Sequence, residues 1–261
     1  VTTQPGRIVA ATTQITTDLL EFNDKLCATG SVTIKPDRAV ILAAGLGTRL
    51  RWLTTTRPKA LMPIGGEAAI IHTIRHLTSF GVRHIAINIH HHGEQIAQLL
   101  GDGRRFGVTL YYSREGELLD SGGGVRRACS LLPAGEHLLI HNGDVVSDID
   151  LHQLWSSMQT GHAAATLALV ANPPHNPAGD FTLNSGVVGK RDSTQRSWTY
   201  SGVSLWSQAA VTDDRWGERF SLLKPMLELL RCNRLYGIIH HSQWHDIGRP
   251  KELFATIKCR R

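Results

Sequence analysis

Apolar runs and amphipathic segments alternate along most of the chain. Residues 39–44 (Ala-Val-Ile-Leu-Ala-Ala) are apolar at every position and predict a strand buried on both faces. Ile70, Ile71, Ile74 and Leu77 recur with helical spacing, which predicts a helix over 68–80 closed by Gly81. The same pattern gives strands at 84–89, 108–112 and 138–141, and helices at 93–100 and 125–132, the latter stopped by Pro133. Beyond residue 150 a helix is expected at 151–158 and a strand at 163–170. Short strands follow at 181–183, 187–188, 198–205 and 236–240, with a helix at 220–230. This alternation predicts an α/β protein with a mostly parallel sheet covered by helices on both faces. Ligands of such sheets bind beyond the carboxyl ends of the strands.

Residues 1–37 have a different texture, rich in Thr and poor in charge, with 18–26 able to form a short amphipathic helix. They read as an N-terminal extension without assigned chemistry, ahead of a single domain over 38–261.

At 261 residues with 41% hydrophobic and 19% charged positions, the chain can bury an ample core. The net charge of +6 comes from 28 Lys and Arg spread along the chain, apart from the cluster at 49–59 and the C-terminal tail. That spread argues against nucleic acid and for small anionic ligands. Cys27, Cys129, Cys232 and Cys259 are widely spaced, with no C-x-x-C pair, which argues against zinc and disulfides. No apolar run approaches the roughly 18 residues of a membrane span, and the N-terminus lacks a secretory pattern. A cytoplasmic protein with no membrane partner is expected.

The chemistry concentrates after the first strand. Gly45-Leu46-Gly47 ends it, and Arg49, Arg51, Arg57 and Lys59 follow. Glycines that free backbone N–H groups, followed by four cations, suit a ligand with several phosphates. The spacing is not that of a P-loop. It is not a dinucleotide fingerprint either, since Leu50 stands where a third Gly or Ala belongs. Pro58 fixes the backbone ahead of Lys59. Asn142-Gly143-Asp144 ends a later strand, so Asp144 can meet the glycine loop across one cleft.

Leu42-Ala43-Ala44-Gly45-Leu46-Gly47-Thr48-Arg49 with Arg57-Pro58-Lys59 resembles the signature of the sugar-phosphate nucleotidyltransferases. The resemblance continues at Asn142-Gly143-Asp144 and Trp244-His245-Asp246-Ile247-Gly248, so it spans residues 38–255. It implies a three-layer α/β/α Rossmann-like (GT-A-like) fold with a mostly parallel mixed sheet. Residues 38–150 would form the nucleotide-binding half and 151–255 the sugar-binding half. It also implies a reaction, NTP plus sugar 1-phosphate giving NDP-sugar and pyrophosphate. Gly101-Asp102-Gly103, Ser121-Gly122-Gly123-Gly124 and Gly179-Asp180-Phe181 look most like members acting with UTP on N-acetylmuramate 1-phosphate. Guanylyl or cytidylyl transfer to another sugar or alcohol phosphate, such as mannose 1-phosphate, is the alternative. A regulatory module that binds nucleotide sugars without turnover is the alternative of another class.

Carried over residue by residue, Arg49 and Lys59 become the catalytic cations. Ala43, Ala44, Gly45, Gly47, Thr48, Gly122 and Gly123 become nucleotide contacts. Asn88, Glu117, Asp180, Tyr200, Ser201 and Gly202 become candidates on the base and sugar side, and Asp144 and Asp246 become ligands of Mg2+. Magnesium takes few protein carboxylates and completes its octahedron with water and phosphate oxygens. Asp148 and Asp150 are expected to start a helix. The chain departs from the family pattern at Trp52, at Gly248-Arg249-Pro250, and at Phe220-Ser221-Leu222, where Phe-Lys-Leu is usual. The missing lysine contact would be lost or made by Lys224. His90-His91-His92 and the pair His241, His245 are expected to face solvent or the cleft rather than a metal, since neighbours on a strand point to opposite faces.

Overall fold

The computed structural model describes residues 35–160 and 162–259. They belong to one compact unit, Lys35–Arg261. The helix expected at 18–26 lies outside the described residues.

The expected order of elements is largely present. In chain order the strands are β1 (Arg38–Leu42), β2 (Pro63–Ile64), β3 (Glu67–Ala68), β4 (His84–Ile89), β5 (Thr109–Arg114), β6 (His137–Asn142) and β7 (Val145–Ser147). They continue with β8 (Ala165–Val170), β9 (Phe181–Asn184), β10 (Val187–Lys190), β11 (Ser197–Ser207), β12 (Leu235–Ile239) and β13 (Trp244–Asp246). The α-helices are α1 (Ala69–Phe80), α2 (Gly93–Leu100), α3 (Asp120–Cys129), α4 (Leu151–Gln159), α5 (Gln208–Thr212), α6 (Leu223–Arg231) and α7 (Pro250–Cys259).

Nine strands form the main sheet in the order β5-β4-β1-β6-β11-β8-β12-β10-β9. β5, β4, β1 and β6 run parallel, and the apolar centres of β4, β1 and β6 are buried on both faces as parallel strands are. β11 enters antiparallel to both β6 and β8. The sheet is therefore mixed, and its edge beyond β12, made by β10 and β9, is antiparallel. Ala39, Ile41, Ile70, Ile74, Ile85, Ile87 and Leu139, all fully buried, form the centre of the largest core cluster between the sheet and α1.

Several boundaries differ from the sequence reading. α3 begins at Asp120 rather than 125, so the triple glycine forms its first turns. The helix expected at 220–230 begins at Leu223, leaving Phe220 on a loop. α5 and α7, two helices without an expectation, add to the second half. Asp150 does cap α4, its side chain accepting from the N–H groups of His152 and Gln153. Asp148 instead accepts from Ser242 Oγ and lies 3.0 Å from His240 Nε2.

The topology gathers one end of each central strand on the same edge. The carboxyl ends of β1, β4, β5, β6 and β8 meet the amino half of β11 there, where a register shift between Tyr200 and Ser204 bulges the strand. A separate two-stranded ribbon, β7 with β13, pairs Val145 with Asp246 beside that edge.

Candidate active site

A cavity of about 600 Å³ opens at this edge. Its walls come from the glycine loop, the ends of β4, β5 and β6, the loop at 171–180, the bulged part of β11, and the β13 ribbon.

The glycine loop is shaped by one left-handed residue. Gly47 has φ +65° and starts a 3-10 helix over Thr48–Thr54. Its carbonyl accepts from Leu50 N and from Thr54 Oγ1, and a Cβ on Gly47 would lie 2.8 Å from Thr54 Cγ2. Gly47 and exposed Thr48 thus build the turn and do not line the cavity. Gly45 does line it, with nothing within 4 Å of the position a Cβ would take. Ala43, Ala44 and Arg49 share that wall. Trp52, a departure from the family pattern, points into solvent at 74% exposure.

The two carboxylates and the lysine converge. Pro58 (φ −62°) precedes Lys59 at the start of a short 3-10 turn. Lys59 Nζ donates to Asp144 Oδ2, and both side chains are mostly buried. Ile247 N donates to Asp144 O, so the β7–β13 ribbon fixes Asp246 beside Asp144. Burial pushes the Asp246 carboxyl above its ordinary range, and the neighbouring Asp144 charge pushes it further. Two carboxylates share one lysine, an excess of negative charge that a divalent cation would balance. Among the described residues no group of three or more His, Cys, Asp and Glu converges as a ligand set. The paired carboxylates Asp144 and Asp246 are a hard-oxygen donor set of the kind that fits Mg2+, whose remaining positions go to phosphate and water.

On the side expected to face the base, the geometry changes the assignments. Asn88 is buried at the end of β4 and holds two partners. Its Oδ1 accepts from Ala43 N at 2.7 Å, and its Nδ2 donates to Glu115 Oε1 at 2.8 Å. Glu115 Oε2 accepts from Leu119 N. Glu115 and Asp120, not the exposed Glu117, are therefore the carboxylates that line the cavity on this side. Gly122 and Gly123 do not line the cavity either. Their N–H groups donate to Phe220 O at 2.8 and 3.0 Å, and a Cβ on Gly122 would lie 2.3 Å from the Phe220 ring. The glycines admit the loop at 218–222 rather than a base. Ser121, just before them, does line the cavity, and its Oγ accepts from Leu222 N.

On the opposite wall Tyr200, Ser201 and Gly202 line the cavity, but Asp180 does not. Asp180 Oδ2 accepts from Tyr200 N and its Oδ1 from Asn176 Nδ2, so it braces the wall from behind. The Tyr200 hydroxyl pairs with Ser204 Oγ at 2.8 Å, and burial raises its pKa well above the ordinary tyrosine value. Its wall is thus the ring rather than a free hydroxyl. The residues sequence reasoning missed here are His175 and Asn176, which line the cavity from the proline-flanked loop. His175 Nε2 lies 3.9 Å from Asp246 Oδ2, and Nδ1 lies 3.4 Å from Glu252 Oε1 on α7. The only available signal was the position of that loop after a buried strand. Lys224 Nζ sits 5.5 Å over the Trp216 ring and away from the cavity, while Arg219 reaches the rim.

The consecutive histidines do not converge on a metal. His90 Nδ1 pairs with Glu115 O and His92 Nε2 with Thr55 O.

An open glycine loop, a lysine and paired carboxylates at the carboxyl edge of an α/β sheet make a site suited to a phosphate-bearing ligand. Comparison with known proteins gives the family. A family model for nucleotidyl transferases matches residues 38–195, and the chain belongs to that family and is a nucleotidyltransferase. An N-acetylmuramate alpha-1-phosphate uridylyltransferase of Neisseria meningitidis serogroup B is 37% identical over 215 residues, covering 81% of this chain and 93% of the relative. A mannose-1-phosphate guanylyltransferase of Mycobacterium tuberculosis is 26% identical, covering 82% of this chain and 62% of the relative. The solved inositol-1-phosphate CTP transferase of T. maritima has the same fold, with a TM-score of 0.69 at 17% identity over 86% of this chain and 97% of that one.

Proposed function

We propose that this nucleotidyltransferase moves a uridylyl group from UTP to N-acetylmuramate 1-phosphate, releasing pyrophosphate, in the cytoplasm, where both substrates would be available. The observation that carries the choice of substrates is the 37% identity to the Neisseria uridylyltransferase over nearly its whole length. Transfer of guanylyl to mannose 1-phosphate is the second reading, favoured by the more distant Mycobacterium relative.

The chain's own residues supply alignment and charge. Gly45 leaves its amide open to the leaving β- and γ-phosphates, and Arg49 neutralises them. Lys59 exchanges its bond to Asp144 for the α-phosphate or the incoming sugar phosphate, its ammonium following the charge as it shifts. The sugar phosphate is already ionised, so no general base and no protein nucleophile are needed. Asp144 and Asp246 would hold Mg2+, which supplies further neutralisation of the phosphates when bound. Asn88 and Glu115 hold the Ala43 amide in place against the nucleotide.

The test is pyrophosphate release from four NTPs against a panel of sugar 1-phosphates with Mg2+. UTP with N-acetylmuramate 1-phosphate should give the highest kcat/KM. A higher value for GTP with mannose 1-phosphate would replace this reading with the second, and no turnover in any combination would refute both.

A further inference from the structure

The loop at 171–180 sets an oriented hydrogen-bond acceptor in the cavity wall. Asn176 Nδ2 donates to Asp180 Oδ1 at 2.9 Å and to Thr199 Oγ1 at 3.2 Å. Asp180 is an acceptor only, so the nitrogen and not the oxygen of this amide must face it. Thr199 can accept because its own hydrogen goes to Asn172 Oδ1 at 3.0 Å. Asn172 is held in turn by donating Nδ2 to Ser197 O at 3.2 Å. Both N–H hydrogens of Asn176 are thus committed by a chain of bonds with one consistent direction. Its backbone is fixed as well, with N donating to Pro173 O at 2.9 Å. Its carbonyl oxygen Oδ1 has no partner among the described residues, and Asn176 lines the cavity.

We propose that Asn176 is the specificity residue for the acceptor sugar, its Oδ1 accepting from the N–H of a 2-acetamido substituent. The proposal rests on the reading that the acceptor is a sugar 1-phosphate. A fixed acceptor wants an obligatory donor, and an amide N–H is one, whereas a carboxylate or phosphate offers none. Asp180 behind Asn176 further disfavours an anionic group at this point. The rings of Tyr200 and Trp244 line the same cavity and can cover the acetamido methyl. Trp244 is held for this by donating Nε1 to Ser201 O at 2.9 Å.

The experiment compares N-acetylmuramate 1-phosphate with a counterpart carrying hydrogen in place of the acetamido group, in the wild-type protein and in Asn176→Ala. The wild type should prefer the acetamido acceptor by roughly tenfold in kcat/KM, the size of one well-made hydrogen bond. In Asn176→Ala that preference should fall about tenfold toward unity, with the loss in KM for the acceptor and not in KM for the nucleotide. Equal use of both acceptors by the wild type overturns the proposal, whatever the variant does. An equal loss for both acceptors in the variant also overturns it, because Asn176 would then only brace the loop. If acetamido sugar phosphates are used with a base other than uracil, the uridylyl reading fails while this comparison stands unchanged. If the wild type uses no acetamido acceptor with any nucleotide, both fall.

Discussion

Replacing Gly122 by Ala separates a packing role from a ligand-binding role. An ideal Cβ at Gly122 would sit 2.3 Å from two carbons of the Phe220 ring and 2.9 Å from Phe220 O. Carbon–carbon contact needs about 3.6 Å, so the ring must retreat by roughly 1.3 Å. Phe220 is 5% exposed and stacks on Trp216 at 6.3 Å between centroids, so it has little free space. Its carbonyl also accepts from Gly122 N and Gly123 N, the donors at the start of α3. Weakening two such bonds costs about 1 kcal/mol each, and overpacking adds about 1–3 kcal/mol. The better helix propensity of Ala returns about 1 kcal/mol. The net loss is about 2–4 kcal/mol, or roughly 4–16 °C in Tm for a domain of this size. Urea unfolding followed by tryptophan fluorescence measures it, with Trp216 as the local reporter. The control is Gly45→Ala, whose Cβ meets nothing within 4 Å. It should keep wild-type stability within about 0.5 kcal/mol while raising KM for the nucleotide. If Gly122→Ala is as stable as the wild type and instead raises KM for the nucleotide, the packing assignment is wrong.

Further outcomes follow from the same geometry. Asp144→Asn should lower kcat/KM by about a thousandfold, in the range lost when one preorganised charge contact is removed. Its Tm should stay within a few degrees, because Lys59 keeps Asp246 as a counter-charge; a near wild-type rate would refute the metal assignment. Asn88→Ala should raise KM for the nucleotide by roughly tenfold, since Ala43 N and Glu115 lose their shared brace; unchanged kinetics would show that the brace does not position the nucleotide. His141 is fully buried on β6, and burial, helped by nearby His76, pushes its pKa down to about 3. The unfolded chain takes up this proton below about pH 6.5 and the folded chain does not, so stability falls as pH drops toward 3. At pH 5 the loss is about 2 kcal/mol relative to neutral pH. Chemical denaturation at pH 7 and pH 5 should show this slope in the wild type and a shallower one in His141→Asn; equal slopes would refute it.

The half of the site written in consecutive residues was legible in the sequence. Gly45, Arg49 and Lys59 follow β1 within a few turns of chain, so their shared wall is a local consequence of strand, turn and 3-10 helix. Asp144 was legible as the end of an apolar strand. The parts that were misplaced depend on partners far away. Nothing near Gly122 announces that Phe220, about a hundred positions later, fills the space its missing side chain leaves. Asp180 looks like a sugar ligand until Tyr200 N and Asn176 Nδ2 occupy its oxygens. Glu115 and Glu117 were separable only by where the strand ends. β5 runs to Arg114, so the buried carboxylate at its mouth is Glu115. His175 and Asn176 lie in a loop whose composition signals a turn and nothing of its contacts. A mixed sheet was expected from the family resemblance, but which strand runs antiparallel was not legible, since the place of β11 is set by pairing across the fold rather than by its own pattern.

The chemistry itself can be read in one experiment. UTP labelled at the α-phosphate is mixed with N-acetylmuramate 1-phosphate, Mg2+ and the protein, and the label and the released phosphates are followed together. The label should pass into the UDP-sugar with one pyrophosphate formed per labelled product. Label in free UMP, release of orthophosphate, or no transfer with active, folded protein would contradict the account.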